Sequence, residues 1–384
     1  MSQIALVQPT PLDPLPTSRQ GYVPILLDKP GERRALSQVS TDVWLHMTPM
    51  IVVARYGSHP TRGSLRDRVR AIAESVASHP IYLDLAREIA PCKPLSTPNG
   101  KRRTLEVLYD AAQRRGLSFM PVAGTADREC RLAIVRDVAA EQGLGLALRH
   151  RLGVSVSASG TELVKKLDRV LTTVDADAQH VDLILELEYL APDQQPSAKW
   201  LGQEVNRLSA SFKWRSIVLA ATSVPKVVGE ICGTDSAGER DRAEWTLWQN
   251  VCARTSFPVA YGDYGIQNPA PPSQGWRGFA NVRYTTRGCL VVSRGHDITD
   301  MTEYDVAAMC RRVTDSQGFE GSAFSWGDQV VAERAAGRVS ATAIDDDWED
   351  DSDLERHHYF WRAVGTSHHL KLVSTQLAEA SRGG

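Results

Sequence analysis

The sequence predicts an α/β fold: a closed (β/α)8 barrel of the TIM-like kind, followed by a C-terminal α+β appendage. Eight short apolar runs alternate with seven helical patterns within about 245 residues, the usual size of such a barrel. The connections are short, and parallel neighbours require crossovers. No glycine-rich turn follows the first run, where Asp28-Lys29-Pro30-Gly31-Glu32 stands instead. That weighs against the rival reading, an open doubly wound sheet with a dinucleotide loop.

Residues 1–20 carry Pro9, Pro11, Pro14 and Pro16, which forbid a helix and predict an extended leader. The barrel is expected over 21–268. Its strands are expected at Tyr22–Lys29, Met50–Tyr56, Ile81–Ala86, Leu117–Gly124, Leu144–Arg151, Val181–Tyr189, Ser216–Ser223 and Pro258–Tyr264. Helices are expected near 31–46, 64–79, 102–116, 127–143, 157–176, 196–213 and 239–255. Leu65, Val69, Ile72 and Val76 recur at spacings of three and four, and Gly116 and Gly143 fall where helices should stop. Asn268-Pro269-Ala270-Pro271-Pro272 then breaks the rhythm. The appendage over 269–376 opens on a hairpin, Phe279–Tyr284 with Cys289–Arg294 around Arg287-Gly288. Helices near 302–314 and 328–336 follow, then an acidic loop at 345–355 with eight carboxylates. A last strand at Leu370–Ser374 precedes a flexible tail, 377–384.

Composition excludes several classes. The 384 residues are 42% hydrophobic and 23% charged, as in ordinary globular chains. With 44 Lys plus Arg against 46 Asp plus Glu, the net charge of -2 offers no global field for a nucleic-acid backbone. Duplex binding would need Arg62, Arg66, Arg68, Arg70, Lys101, Arg102 and Arg103 on one face, and they read as solvated helix surface. The apolar runs are too short to span a bilayer, and the start has no secretory signal pattern. Cys92, Cys130, Cys232, Cys252, Cys289 and Cys310 stand far apart with no CxxC, which predicts reduced thiols in a cytoplasmic protein. There is no P-loop, HExxH or GxSxG.

Alternation along the strands selects the inward side chains. In the sixth run, Leu183, Leu185 and Leu187 share the outward parity, and Asp182, Ile184, Glu186 and Glu188 the inward one. The fifth run contributes Arg149 and Arg151 and the third Asp84; Asp263 or Tyr264 ends the eighth at matching depth. Lys29 and Arg55 end the first two. Carboxylates and guanidiniums at one mouth suit an anion site, with acids handling protons or a divalent cation such as Mg. They equally suit a closed ionic network that holds the barrel together. If Glu188 is catalytic, Glu188→Gln abolishes turnover at unchanged stability. His368 and His369 lead into the expected last strand, and because neighbours in extended backbone face opposite ways at most one of them would enter a given pocket.

Tyr22-Val23-Pro24-Ile25-Leu26 with Lys29, Gly31-Glu32 and Ala35-Leu36 begins a set of short motifs. Gly262-Asp263-Tyr264-Gly265, Asn281 through Thr285, Ser293-Arg294-Gly295, Phe319-Glu320-Gly321, Phe324 through Asp328, and Trp361 with Gly365 through His369 continue it. Together they resemble the beta family of bacterial and phage proteins over about 22–374, with Asp28 a departure from its pattern. The resemblance adds Arg283, Tyr284, Arg294, Trp326, Asp328 and His368 or His369 as site candidates. It implies antiviral or mobile-element biology, often with a second protein, and prescribes no reaction. Two expectations follow. In one, the appendage is a lid over a mouth that binds a phosphorylated ligand, a nucleotide or nucleic-acid end, and could hydrolyse it as a metal-dependent phosphodiesterase-like enzyme. There Asp84, Glu186, Glu188, Asp263 and His368 are the catalytic candidates; Lys29, Arg55, Arg149, Arg151, Arg283, Tyr284, Arg294, Trp326 and Asp328 bind. In the other, the barrel is a non-catalytic scaffold or specificity subunit contacting a partner protein in a defence assembly, or another copy of itself.

Overall fold

The computed structural model describes residues 21–53, 62–85, 94–97, 100–152, 160–270, 279–297, 302–338 and 353–382. Arg55, Cys92, the leader and the acidic residues 345–352 lie outside them, as do the side chains of 353–358.

Eight parallel strands close into a barrel: β1 (Tyr22–Leu27), β2 (Met50–Val53), β3 (Ile81–Leu85), β6 (Phe119–Gly124), β7 (Leu146–Arg151), β8 (Val181–Tyr189), β9 (Ser216–Thr222) and β11 (Val259–Asp263). Each pairs with the next in chain order, and β1 pairs with both β2 and β11. The predicted closed barrel is therefore the fold, and the open sheet is not. A hairpin and one further strand interrupt the strand–helix rhythm. A hairpin, β4 (Pro94–Thr97) and β5 (Gly100–Arg103), precedes α4 (Thr104–Gln113). Strand β10 (Ser236–Asp241) precedes α8 (Ala243–Cys252), so the first residues of the helix expected at 239–255 are extended.

The other barrel helices follow the predicted rhythm. The segment expected as one helix over 31–46 divides into α1 (Pro30–Ser37) and α2 (Thr41–Trp44). Then come α3 (Arg62–Ser75), α5 (Glu129–Gln142), α6 (Gly160–Thr173) and α7 (Ala198–Ser211). Gly143 ends α5 at φ 67°, a conformation that glycine adopts without strain.

The hairpin in the appendage forms as expected. Strands β12 (Phe279–Thr285) and β13 (Cys289–Asp297) pair antiparallel, and β10 adds to the β13 edge. Helices α9 (Glu303–Thr314) and α10 (Trp326–Ala335) pack beneath this sheet through Val282, Tyr284, Met309, Val313, Val330 and Val331.

The end of the chain differs from expectation. The segment Leu370–Ser374, read as a strand, lies within α11 (Asp353–Arg382). Its apolar residues show why: Leu370, Val373 and Leu377 recur at three and four and join the core outside the barrel strands. Each such burial contributes about 1.5–3 kcal/mol. Helix α11 thus occupies the place of the eighth barrel helix, between α1 and the appendage. Residues 377–382, expected to be loose, belong to it. Five residues, Leu370-Lys371-Leu372-Val373-Ser374, are too few to separate strand from helix by period.

Inside the barrel, side chains form layers. At the bottom, Tyr82 Oη donates to Asp182 Oδ2 at 2.7 Å, and Arg215 Nε donates to Asp182 Oδ1 at 2.9 Å. Gly145 is required beneath it, since a Cβ there would lie 2.1 Å from the His180 carbonyl oxygen, with φ at +79°. Ile25, Met50, Val122, Ala147, Ile184 and Val218 fill the middle. The upper layer is charged.

Candidate functional site

Asp84, Arg149 and Glu186 do converge at the top of the barrel, as their parity predicted. Arg149 Nε donates to Glu186 Oε2 at 2.7 Å, and Nη2 donates to Glu186 Oε1. Arg149 Nη1 donates to Asp84 Oδ2 at 2.7 Å, and Arg131 from α5 reaches Asp84 Oδ1 at 3.2 Å. Tyr264 Oη closes the set by donating to Glu186 Oε1. Glu186 is 0% exposed, Asp84 6% and Arg149 9%. Burial pushes the Glu186 carboxyl up, but the Arg149 charge and its hydrogen bonds, with Tyr264, outweigh this and hold it below the ordinary value. Every carboxylate oxygen here is already taken by a guanidinium or a phenol. The donor set does not fit a divalent cation. Of the two alternatives for these three residues, the geometry is that of the closed network. Arg131, one of its members, was missed because it lies on a helix, where strand parity says nothing.

Glu188 is not the second inward acid. The register slips between Glu186, opposite Ala220, and Glu188, opposite Ala221, and Glu188 takes φ 57°. This bulge turns its side chain to the rim, 43% exposed, where it pairs with half-exposed Arg151 at 3.1 Å. Exposed pairs contribute little. Glu188→Gln is therefore expected to shift unfolding free energy by under about 0.5 kcal/mol in denaturant titration.

Asp263 also departs from the expected place. It has the outward parity of Tyr261, not the inward one, and Tyr264 turns into the mouth in its stead. Asp263 Oδ1 accepts from Tyr22 Oη at 2.8 Å and from the Gly265 N–H at 2.9 Å. Asp263 Oδ2 faces His369 Nε2 at 2.9 Å, and His369 Nδ1 faces Thr285 Oγ1 at 2.7 Å. Burial raises the Asp263 carboxyl, but the His369 charge and the three hydrogen bonds together hold it below its ordinary value. The order carboxylate, imidazole, hydroxyl is that of a nucleophilic triad. Thr285 is only 1% exposed, and no substrate carbon reaches it in this conformation.

Both histidines are buried, contrary to the strand argument that would admit one. On α11 they are offset by about 100° instead of 180°. His368 Nδ1 meets Asp328 Oδ2 at 2.8 Å and Nε2 donates to the Thr285 carbonyl at 2.6 Å, while its ring stacks on Tyr284 at 3.8 Å. Tyr284 Oη donates to Asp328 Oδ1 at 2.7 Å. These groups knit α10, α11 and β12 together. Trp326 lines a separate cavity of about 300 Å³ with Ser40, Phe324, Ser325, Ser367 and Lys371. Arg294 lies over the Phe279 ring at 4.2 Å and donates to the Cys232 carbonyl at 3.4 Å, away from the acids.

A second charged group gathers where β1 meets the appendage. Lys29 continues the inward parity of Val23, Ile25 and Leu27, because the backbone is still extended there (φ -122°, ψ 155°). Arg283 Nη1 donates to the Ile266 carbonyl at 2.7 Å, and Nε donates to Asn281 Oδ1 at 3.0 Å. Arg362 Nε lies 3.8 Å from Glu32 Oε1. Burial first, then Arg362 and Arg283 against a smaller opposing pull from Glu32, lowers the Lys29 ammonium to about 8. Burial and Arg362 lower Arg283 to about 10. Among the described residues, Arg283 has no carboxylate within ion-pair distance. Lys29 and Arg283 were named from the sequence; Arg362 and Glu32 were not, since only the packing of α11 on α1 brings them there. Asp28, the departure noted above, is buried between Arg33 and Arg68. Arg68 is thus not part of a solvated basic face.

Cys130 is disulfide-bonded, while Cys232, Cys252, Cys289 and Cys310 are free thiols. Distance along the chain is no measure of distance in the fold, so the expectation of six reduced thiols is corrected. The cysteines no longer argue for a reducing compartment. Among the described residues, no helix is long and apolar enough to cross a membrane.

Fold and site together define a (β/α)8-barrel protein with an upper layer of paired charged side chains and a cationic rim shared with an appended sheet. The barrel resembles several solved structures at low identity. The type I 3-dehydroquinate dehydratase of Clostridium difficile is 10% identical, covering 66% of this chain and 88% of its own, at TM-score 0.39. The tryptophan synthase alpha-subunit of Pyrococcus furiosus is 12% identical, with 64% and 88% coverage and TM-score 0.36. No curated protein matches the chain. The family model described as Beta protein matches residues 22–375, and the chain belongs to that family.

Proposed function

We propose that the barrel mouth binds a phosphorylated ligand, with Lys29, Arg283 and Arg362 holding the phosphate on the β1 side. One observation carries this reading: Arg283 is held close enough to Arg362 for the two charges to disfavour one another, and of the pair only Arg362 lies beside a carboxylate, Glu32 at 3.8 Å, among the described residues. Holding like charges together away from water is costly unless an anion joins them. The place supports it, since ligands of this fold sit at the C-terminal ends of the strands. In the mobile-element setting that the family resemblance implies, the ligand is a nucleotide or a nucleic-acid end. Asp84, Arg149 and Glu186 form the floor of this mouth and hold its shape.

Titration calorimetry with adenosine monophosphate and with a terminally phosphorylated oligonucleotide tests the proposal. Arg283→Gln is expected to weaken binding by about 10–100-fold, the worth of one hydrogen bond to a charged group. The wild-type affinity falls as pH rises through about 8, where the Lys29 ammonium is lost; Lys29→Arg retains it. Equal affinity in Arg283→Gln, or no binding of either ligand, sinks the proposal and leaves the scaffold reading.

A further inference from the structure

Glu32 stands apart from the other acids of this end of the barrel. Asp28, Asp84, Glu186 and Asp263 each receive at least two donors. Glu32 is 2% exposed, yet neither of its carboxylate oxygens receives a hydrogen bond. It lies in the first turn of α1, where the N-cap Lys29 gives no side-chain cap. The charged groups facing it are Lys29 and Arg33 from its own segment, Arg283 from β12 and Arg362 from α11. Arg33 is committed to Asp28. Helix α11 comes so close that a Cβ on Gly31 would lie 2.6 Å from the Tyr359 carbonyl oxygen.

A buried carboxylate that receives no side-chain hydrogen bond keeps its charge mainly through nearby cations, and desolvation already favours its neutral form. An incoming phosphate claims those same cations. We propose that the ligand bears a terminal phosphate monoester, and that Glu32 takes up a proton from solvent as the phosphate arrives and donates it as a hydrogen bond to a phosphate oxygen. No bond of the ligand breaks in this step. With Glu32 neutral, Lys29, Arg283 and Arg362 present three positive charges, which a monoester dianion complements better than a singly charged diester. This rests on the phosphate-binding reading above.

The experiment is calorimetry on the full chain near neutral pH, in buffers of different protonation enthalpy, with adenosine monophosphate and its cyclic diester. The monoester is expected to bind at least tenfold tighter and to take up close to one proton per ligand. Lys29 supplies only a minor part of that, being mostly protonated there already. Glu32→Gln is expected to bind the monoester at least as tightly with most of the proton uptake gone; Glu32→Met serves if the amide variant does not fold. Unchanged uptake in the variant, or equal affinity for the cyclic diester, overturns the inference while leaving phosphate binding intact. Failure of both ligands and of the phosphorylated oligonucleotide overturns phosphate binding itself.

Discussion

Arg149→Met is expected to remove about 3–5 kcal/mol of stability, read as a lowered denaturant midpoint at unchanged slope. The guanidinium holds Glu186 by two hydrogen bonds and Asp84 by a third, and all three groups are buried. Its removal leaves two carboxylates facing one another with no water to screen them. That loss is a large share of the roughly 5–15 kcal/mol that holds an ordinary domain folded. Glu186→Gln in the same chain relieves part of the cost, because the stranded negative charge is gone. The double variant should therefore lose about 1–3 kcal/mol less than the two singles added together. Additive losses would mean that the three residues do not act as one network.

The second large effect concerns the seam between barrel and appendage. Asp263→Ala strands the Tyr22 hydroxyl, the Gly265 N–H and His369 in a buried place, at about 3–5 kcal/mol. Because His369 and His368 lie on α11, the loss should appear there first, as faster amide hydrogen exchange over 363–377 than over β7 and β8. The acid limb of the stability curve should change as well. The Asp263 carboxyl is held below its unfolded value, so its contribution is present above about pH 4 and is lost as pH falls through the lower folded value. Asp263→Ala should flatten that part of the curve. Uniform exchange across barrel and helix, with an unchanged acid limb, would show that Asp263 does not anchor α11.

Much of the architecture was legible because it rests on local repetition. Alternation in β3, β7 and β8 placed Asp84, Arg149 and Glu186 on one inner wall, and they meet there. It failed two residues later, where a bulge puts Glu188 at φ 57°, and again at Asp263, where parity carried Tyr264 inward instead. Period alone could not distinguish a five-residue strand at Leu370–Ser374 from part of a long helix. With the helix unrecognised, the partners of both histidines went unseen, and so did Arg362.

The amino-acid sequence by itself determined the eight strands, the seven helices between them, their order and the family, because patterning with periods of two and 3.6 is written residue by residue. Only the tertiary structure decided which charges neutralise which. It paired Glu186 with Arg149 in a closed network and left Glu32 among cations without a hydrogen bond. The reason is physical: an ion pair depends on separations of a few ångströms between residues scores apart in the chain, and only the packing of β1, β12 and α11 sets them.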